Sequence, residues 1–210
     1  MKLILIASLL ILSQSMFCQE LVGVPNQPRK VKSDSKKLLR KGHRYYELES
    51  GEIQYADKMG NLIGKMVFDR NGLREALWLK EDPADEEFST LQLRDGSMSF
   101  FILLADSTST RNFDSEIPKS TTEYLNKMYP EANVTPQKIL NRQCKVYTRS
   151  LRKGISYRDA RWKGILLASE FTMNGKTTSR EAIEIKEHHT FDESIFEIMK
   201  HVTFVYPENN

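Results

Sequence analysis

The side chains able to do chemistry are few and badly spaced for it. Cysteine occurs at Cys18 and Cys144, and histidine at His43, His188, His189 and His201. A catalytic thiol needs a nearby base or cation to lower its pKa. Cys144 has Lys145 beside it, but successive strand residues point to opposite faces and no histidine is close in sequence. A buried, structural thiol is expected. His188-His189 is a poor metal pair for the same geometric reason, and no cysteine lies near it. The acidic stretch Glu81, Asp82, Asp85, Glu86, Glu87 around Pro83 lacks the spacing of an EF-hand calcium loop and reads as solvated loop. There is no phosphate-cradling glycine loop, no G-x-S-x-G elbow and no H-E-x-x-H pair. No catalytic residue, metal ligand or cofactor is therefore assigned, and the chain is not expected to be an enzyme.

Two patterns bear on binding instead. Lys138 to Lys163 holds nine basic residues against one acid, Asp159, with Tyr147, Tyr157 and Trp162 among them. Basic-aromatic interleaving suits single-stranded nucleic acid. In a chain whose first residues, Lys2 and the apolar run Leu3 to Leu12, have the form of a secretion signal, it fits a charged sheet face or an anionic surface such as lipid headgroups better, so no nucleic-acid partner is expected. The second pattern is apolar excess. Met98 to Leu104 (MSFFILL) places Met98, Phe100, Ile102 and Leu104 on one side of a strand and Phe101 and Leu103 on the other. Gly164 to Ala168 (GILLA) repeats the pattern. Antiparallel strands usually keep one wet face, so such strands are either covered on both sides or border an apolar cavity.

The elements that carry these residues are legible in outline. Lys2 followed by Leu3 to Leu12 (LILIASLLIL) and the polar Ser13-Gln14-Ser15 has the form of a secretion signal. The apolar run is too short to span a bilayer permanently, so no transmembrane segment is expected after its removal. Cleavage after Cys18 is preferred to lipid anchoring at Cys18, because Met16 and Phe17 stand where a lipoprotein signal has small residues. Removing Met1–Cys18 leaves a net charge of +2, too balanced to indicate a nucleic-acid binder. Residues 19–42 form a basic, poorly ordered lead-in with Pro25 and Pro28 and room for one short helical turn, and 43–206 a single domain. Hairpins are expected at Asp69-Arg70-Asn71-Gly72, at Asp95-Gly96 and at Asn174-Gly175. One helix is expected after Ser120, with Glu123 completing a capping box, Tyr124, Leu125 and Met128 on one face and Pro130 as a stop. Cys144–Thr148, Tyr157–Gly164, Ile165–Met173, Thr177–Lys186 and His201–Tyr206 read as strands, and Phe191–Phe196 as a compact turn. Many strands without β-helix-β alternation imply an α+β fold, mainly antiparallel β.

A family resemblance rests on several of these segments. Ser50-Gly51-Glu52-Ile53-Gln54-Tyr55, Gly64 to Asp69 with Gly72, Cys144-Lys145-Val146-Tyr147, Trp162 to Leu167, and Phe191-Asp192 with Ser194-Ile195-Phe196 resemble, in order and spacing, an uncharacterised family of exported Bacteroidota proteins. That family is similar in fold to the lipoprotein carriers LolA and LolB. The resemblance implies an open, bent half-barrel sheet packed around one or more helices, with an apolar space between them. The chain departs from the family at Ala168 and at Met199-Lys200, so lipoprotein transport itself is not carried over. The expected function is a periplasmic or outer-membrane-associated module that binds a lipid, an acyl chain or another apolar ligand without chemistry. Trp78, Phe100, Ile102, Trp162 and Leu166 are the candidate wall residues. The alternative is a structural module of the cell envelope, with a cell-envelope protein as partner and the cavity filled by its own helices.

Overall fold

The computed structural model describes residues 33–204; the expected signal at 1–18, with Cys18, and most of the lead-in lie outside them. The described residues from Asp34 onward belong to one compact unit. Its first element is a short helix, α1 (Ser35–Arg40), inside the stretch that the sequence assigns to the lead-in. The sequence allows one short helical turn there; what local pattern could not reveal is its anchor, which is distant in sequence. The Asp34 carboxylate accepts the Ser97 backbone N–H at 2.9 Å and the Ser97 hydroxyl at 2.8 Å, and Leu38 packs on the core.

Six strands follow as a meander: β1 (Gly51–Ala56), β2 (Leu62–Asp69), β3 (Arg74–Leu79), β4 (Thr90–Asp95), β5 (Met98–Leu103) and β6 (Thr108–Phe113). After helix α2 (Thr121–Met128) a second meander runs through β7 (Asn133–Ile139), β8 (Arg142–Arg152), β9 (Ile155–Trp162), β10 (Ile165–Met173) and β11 (Lys176–Glu187). A 3-10 helix (Glu193–Lys200) and the two-residue β12 (Thr203–Phe204) end the described chain. All twelve strands join one open sheet in the order β12-β6-β5-β4-β3-β2-β1-β11-β10-β9-β8-β7. The two meanders meet at the antiparallel β1–β11 pair, and β12 lies parallel to β6. The expected class, α+β with a mainly antiparallel open sheet, is the one found. Register shifts at Gln54/Tyr55, Tyr55/Ala56 and Leu166/Ala168 are bulges, which bend the strands that carry them.

The strand order dictates where the non-strand segments go. β6 and β7 lie near opposite edges, so the connection containing α2 must cross a face of the sheet. β11 lies mid-sheet and β12 at the far edge, so residues 188–202 must cross as well. They cross on opposite faces. Met66 and Leu77 belong to the core cluster shared with Tyr124 of α2, whereas their neighbours Val67 and Ala76 belong to the cluster shared with Phe191. Adjacent strand residues point to opposite sides, so the central strands carry a core on each face.

Local chemistry supports the second helix and two of the turns. The Ser120 side chain accepts the Glu123 N–H at 3.1 Å, and the Glu123 carboxylate reaches back to the Lys119 N–H at 2.9 Å, a capping box displaced by one residue. Tyr124 is buried, with Leu125 and Met128 packed beside it, as the helical spacing requires. Asn174 and Gly175, with φ of 51° and 79°, form the tight turn between β10 and β11. Gly164 sits at φ 87°, where a Cβ would stand 2.6 Å from both the Tyr45 carbonyl oxygen and Thr121 Cγ2. Only glycine lets the β9–β10 turn meet the Tyr45 backbone this closely.

Candidate ligand-binding face

The face of β2–β5 that carries Phe100 is built by register. Trp78, Leu91 and Ile102 are directly opposite one another across β3, β4 and β5, as are Ala76, Leu93 and Phe100. With Val67 and Met98 they make one apolar surface. Residues 188–202 form a strap across it. Phe191 is buried there, and Ile195, Phe196, Ile198, Met199 and Val202 pack against the same surface while remaining half-exposed. The strap has the hydrogen bonding of a 3-10 helix, which has poorer geometry than an α-helix and is used in short pieces. Asp192 starts it, accepting the Ser194 N–H at 2.9 Å and the Ser194 hydroxyl at 2.7 Å. The compact turn expected at Phe191–Phe196 is thus the entry to a longer crossing segment.

One buried cation holds the strap down. Arg74 on β3 is almost fully enclosed and donates to Glu193 Oε1 at 2.8 Å, while its Nε lies 3.6 Å from Asp69. The guanidinium also sits over the rings of Phe191 (4.5 Å) and Phe196 (5.2 Å), which stack on each other at 5.8 Å. Burial pushes the Asp69 carboxyl above the usual carboxylate range, against the opposing pull of Arg74 and Arg70. Glu193 is held below its ordinary value by the hydrogen bond from Arg74. Its side chain is 75% exposed, so the pair has one buried and one solvated end.

The five residues singled out from the sequence fall into different places. Trp78, Phe100 and Ile102 come together beneath the strap. Trp162 packs against the other core, with Arg142 and Lys163 over its ring at 4.8 and 4.7 Å. Leu166 is buried on β10, where its carbonyl accepts the Tyr55 hydroxyl at 2.8 Å. They do not form a single wall, because the bulge at Leu166/Ala168 changes which side chains share a face and β9–β10 lie beyond β1 and β11. β5 also departs from the expectation of cover on both sides. Phe100 and Ile102 are buried, but Phe101 is half-exposed and Leu103 is 39% exposed. An open surface pocket of about 300 Å³, lined by Lys153, Ile155 and Thr172 among others, contains none of the five.

Many of the other buried polar groups are linked to one another, although Arg94 Nε, Thr121 Oγ1 and Arg180 Nε are buried without a hydrogen-bond partner. Arg161 is buried and donates from Nε to the Tyr129 hydroxyl at 2.6 Å and from a terminal nitrogen to the Gly164 carbonyl at 2.9 Å. Tyr129 donates in turn to Asp159, which also accepts from Ser169 at 2.6 Å. Arg94 lies 3.5 Å from Glu75, which accepts the Tyr46 hydroxyl. Burial raises the Tyr46 and Tyr129 hydroxyls well above their usual pKa, so both remain protonated donors. These linked side chains explain how charge is tolerated under α2, a role no sequence signal announced. Cys144 is buried, and burial raises its thiol pKa. His189 approaches Glu52 at 3.5 Å, and no group of three metal-ligating side chains occurs among the described residues. Nor is any described helix long and apolar enough to cross a membrane.

No family model and no curated protein matches the chain. Solved structures similar to it include an uncharacterised conserved protein from Thermus thermophilus, at 8% identity over 83% of this chain and 96% of that one, with a TM-score of 0.48. A chain of the Pseudomonas aeruginosa MucA/MucB complex is similar at 14% identity over 77% of this chain and 59% of that one, with a TM-score of 0.42. A LolA superfamily protein from Nitrosomonas europaea is similar at 10% identity, over 78% and 97% of the two chains, with a TM-score of 0.31. At these values the likeness is one of general chain course.

Proposed function

We propose that this protein is a non-catalytic binding module of the bacterial cell envelope that takes an acyl chain or similar apolar molecule on the β2–β5 face. The observation that carries this reading is the way that face is closed. Its cover is a 3-10 strap whose apolar side chains stay half-exposed and whose polar anchor ends in a solvated carboxylate. A ligand reaches Trp78, Phe100 and Ile102 by displacing the strap and substituting its own methylenes for Phe191, Ile195 and Phe196. Each buried methylene contributes about 0.8 kcal/mol, so a long acyl chain can outweigh a few half-buried side chains. The rival is the structural module, in which residues 188–202 fill the face permanently. It draws on the burial already complete at Phe100 and Ile102. Trp162 packs against the other core and Leu166 is buried on β10, so neither is part of the proposed site.

Titration of the delipidated protein with a long-chain fatty acid separates the two, read by Trp78 emission in a Trp162→Phe background. Saturable binding with a Trp78 response is expected. Absence of binding at all accessible concentrations would leave the structural module standing.

A further inference from the structure

We propose that the short helix α1, with the turn that follows it, docks on an anionic lipid bilayer surface. The helix is tied to the end of the sheet. Asp34 accepts from Ser97, Arg70 donates to the Ser35 hydroxyl at 2.6 Å, and Leu38 packs on the core. Successive helical residues are rotated by about 100°, so with Leu38 inward Lys36 and Arg40 point outward, flanked by Lys37 on one side and Leu39 on the other. All four are exposed, as are Lys41 and Arg44 just beyond them. Five cations thus surround one leucine that is 37% exposed.

The charge is uncompensated where it stands. None of the five enters an ion pair among the described residues. The Arg44 N–H bonds the Pro118 carbonyl, which brings the segment from Asp114 alongside, and the acids there are engaged elsewhere. Glu116 pairs with Lys127 at 2.7 Å, and Asp114 lies 3.5 Å from the Tyr45 hydroxyl. Asp34 takes both Ser97 donors. Glu193 is held by Arg74, and the pull of Lys36 on it comes behind those of Arg74 and Arg70. The sequence extends the charge: Arg29 to Arg44 holds eight lysines and arginines against Asp34 alone. It holds no Phe, Tyr or Trp on which a nucleic-acid base could stack. A layer of anionic headgroups complements this surface. The cationic heads reach the phosphates on their long stems, while Leu39 enters the headgroup–acyl boundary. The inference does not depend on what binds beneath the strap.

The test is co-sedimentation of the chain from Gln19 to Asn210 with phosphatidylcholine vesicles, with and without one third phosphatidylglycerol. Binding only to the anionic vesicles is expected, with loss at about 1 M salt, where the screening length is roughly 3 Å. The triple substitution Lys36→Gln, Lys37→Gln, Arg40→Gln should weaken partitioning by about 100-fold, at roughly fivefold per cation. The equal-charge triple Lys138→Gln, Lys153→Gln, Lys176→Gln, at exposed positions on the β7–β11 half of the sheet, should leave it within a few-fold. Equal losses in the two triples would overturn the proposal, as would binding to neutral vesicles or displacement by excess single-stranded oligonucleotide. Hydrogen exchange on the unsubstituted chain needs no variant. Anionic vesicles should slow exchange over residues 35–44, and unchanged exchange there would equally overturn it.

Discussion

Replacing Glu193 by glutamine should make the protein less stable and a better binder at once. Glu193 Oε1 accepts a 2.8 Å bond from Arg74, and Arg70 lies 3.7 Å away. A hydrogen bond to a charged group is worth about 1.5–3 kcal/mol when both partners are enclosed. Here the carboxylate end is mostly solvated, and exposed ion pairs are worth about 0–1 kcal/mol, so about 1 kcal/mol is expected. Arg74 is not stranded by the change, since Asp69 and the Phe191 and Phe196 rings remain and glutamine keeps an acceptor. Denaturant unfolding should register that loss as a lower midpoint at constant slope. If a ligand must lift the strap, apparent affinity scales with the population of the lifted form. A loss of about 1 kcal/mol in closure then raises fatty-acid affinity about fivefold, with 1.4 kcal/mol corresponding to tenfold. The two measurements therefore move in opposite directions. Lower stability with unchanged or weaker fatty-acid binding would refute displacement of the strap.

Three further outcomes follow from other parts of the sheet. Gly164→Ala should cost about 3 kcal/mol or more, combining a left-handed backbone with contact against the Tyr45 carbonyl; a thermal midpoint within a degree of the parent would contradict the packing described. Burial alone would raise the Glu52 pKa, but hydrogen bonds from Lys65 and Lys186 at 2.9 Å outweigh it and lower the value to about 2. Its stabilisation is present above pH about 4.5 and is lost as pH falls towards 2, so Glu52→Gln should flatten acid unfolding over that window, by at most about 3 kcal/mol before screening of the half-exposed lysines. Cys144 should react slowly with a thiol reagent in the native protein and rapidly in denaturant, and Cys144→Ala should cost on the order of 1 kcal/mol. Fast native labelling would show that its strand opens.

The capping box at Ser120, the turn at Asn174-Gly175 and the alternation through Met98–Leu103 are local, and each is read correctly from neighbours a few residues apart. The same holds for the placement of most strands and for the burial of Cys144. What local pattern missed has a common cause. β6 (TSTRNF) and β7 (NVTPQKI) are weakly apolar and lie at or beside the sheet edges, so little burial marks them. The anchoring of α1 depends on Asp34 reaching Ser97, and the strap depends on Arg74 reaching Glu193, contacts separated by 63 and 119 residues. The grouping of the apolar excess was also beyond the sequence. Trp78, Phe100 and Ile102 share a face because β3, β4 and β5 pair in register, while Trp162 and Leu166 are carried away by the strand order and a bulge. Residue type and period determined which segments are strands, where they turn and which side chains seek burial, because those preferences act within a few residues. Only the tertiary structure decided which face each buried side chain joins and what covers it, because one strand pairing or one bulge reverses a whole face and the covering segments come from far along the chain.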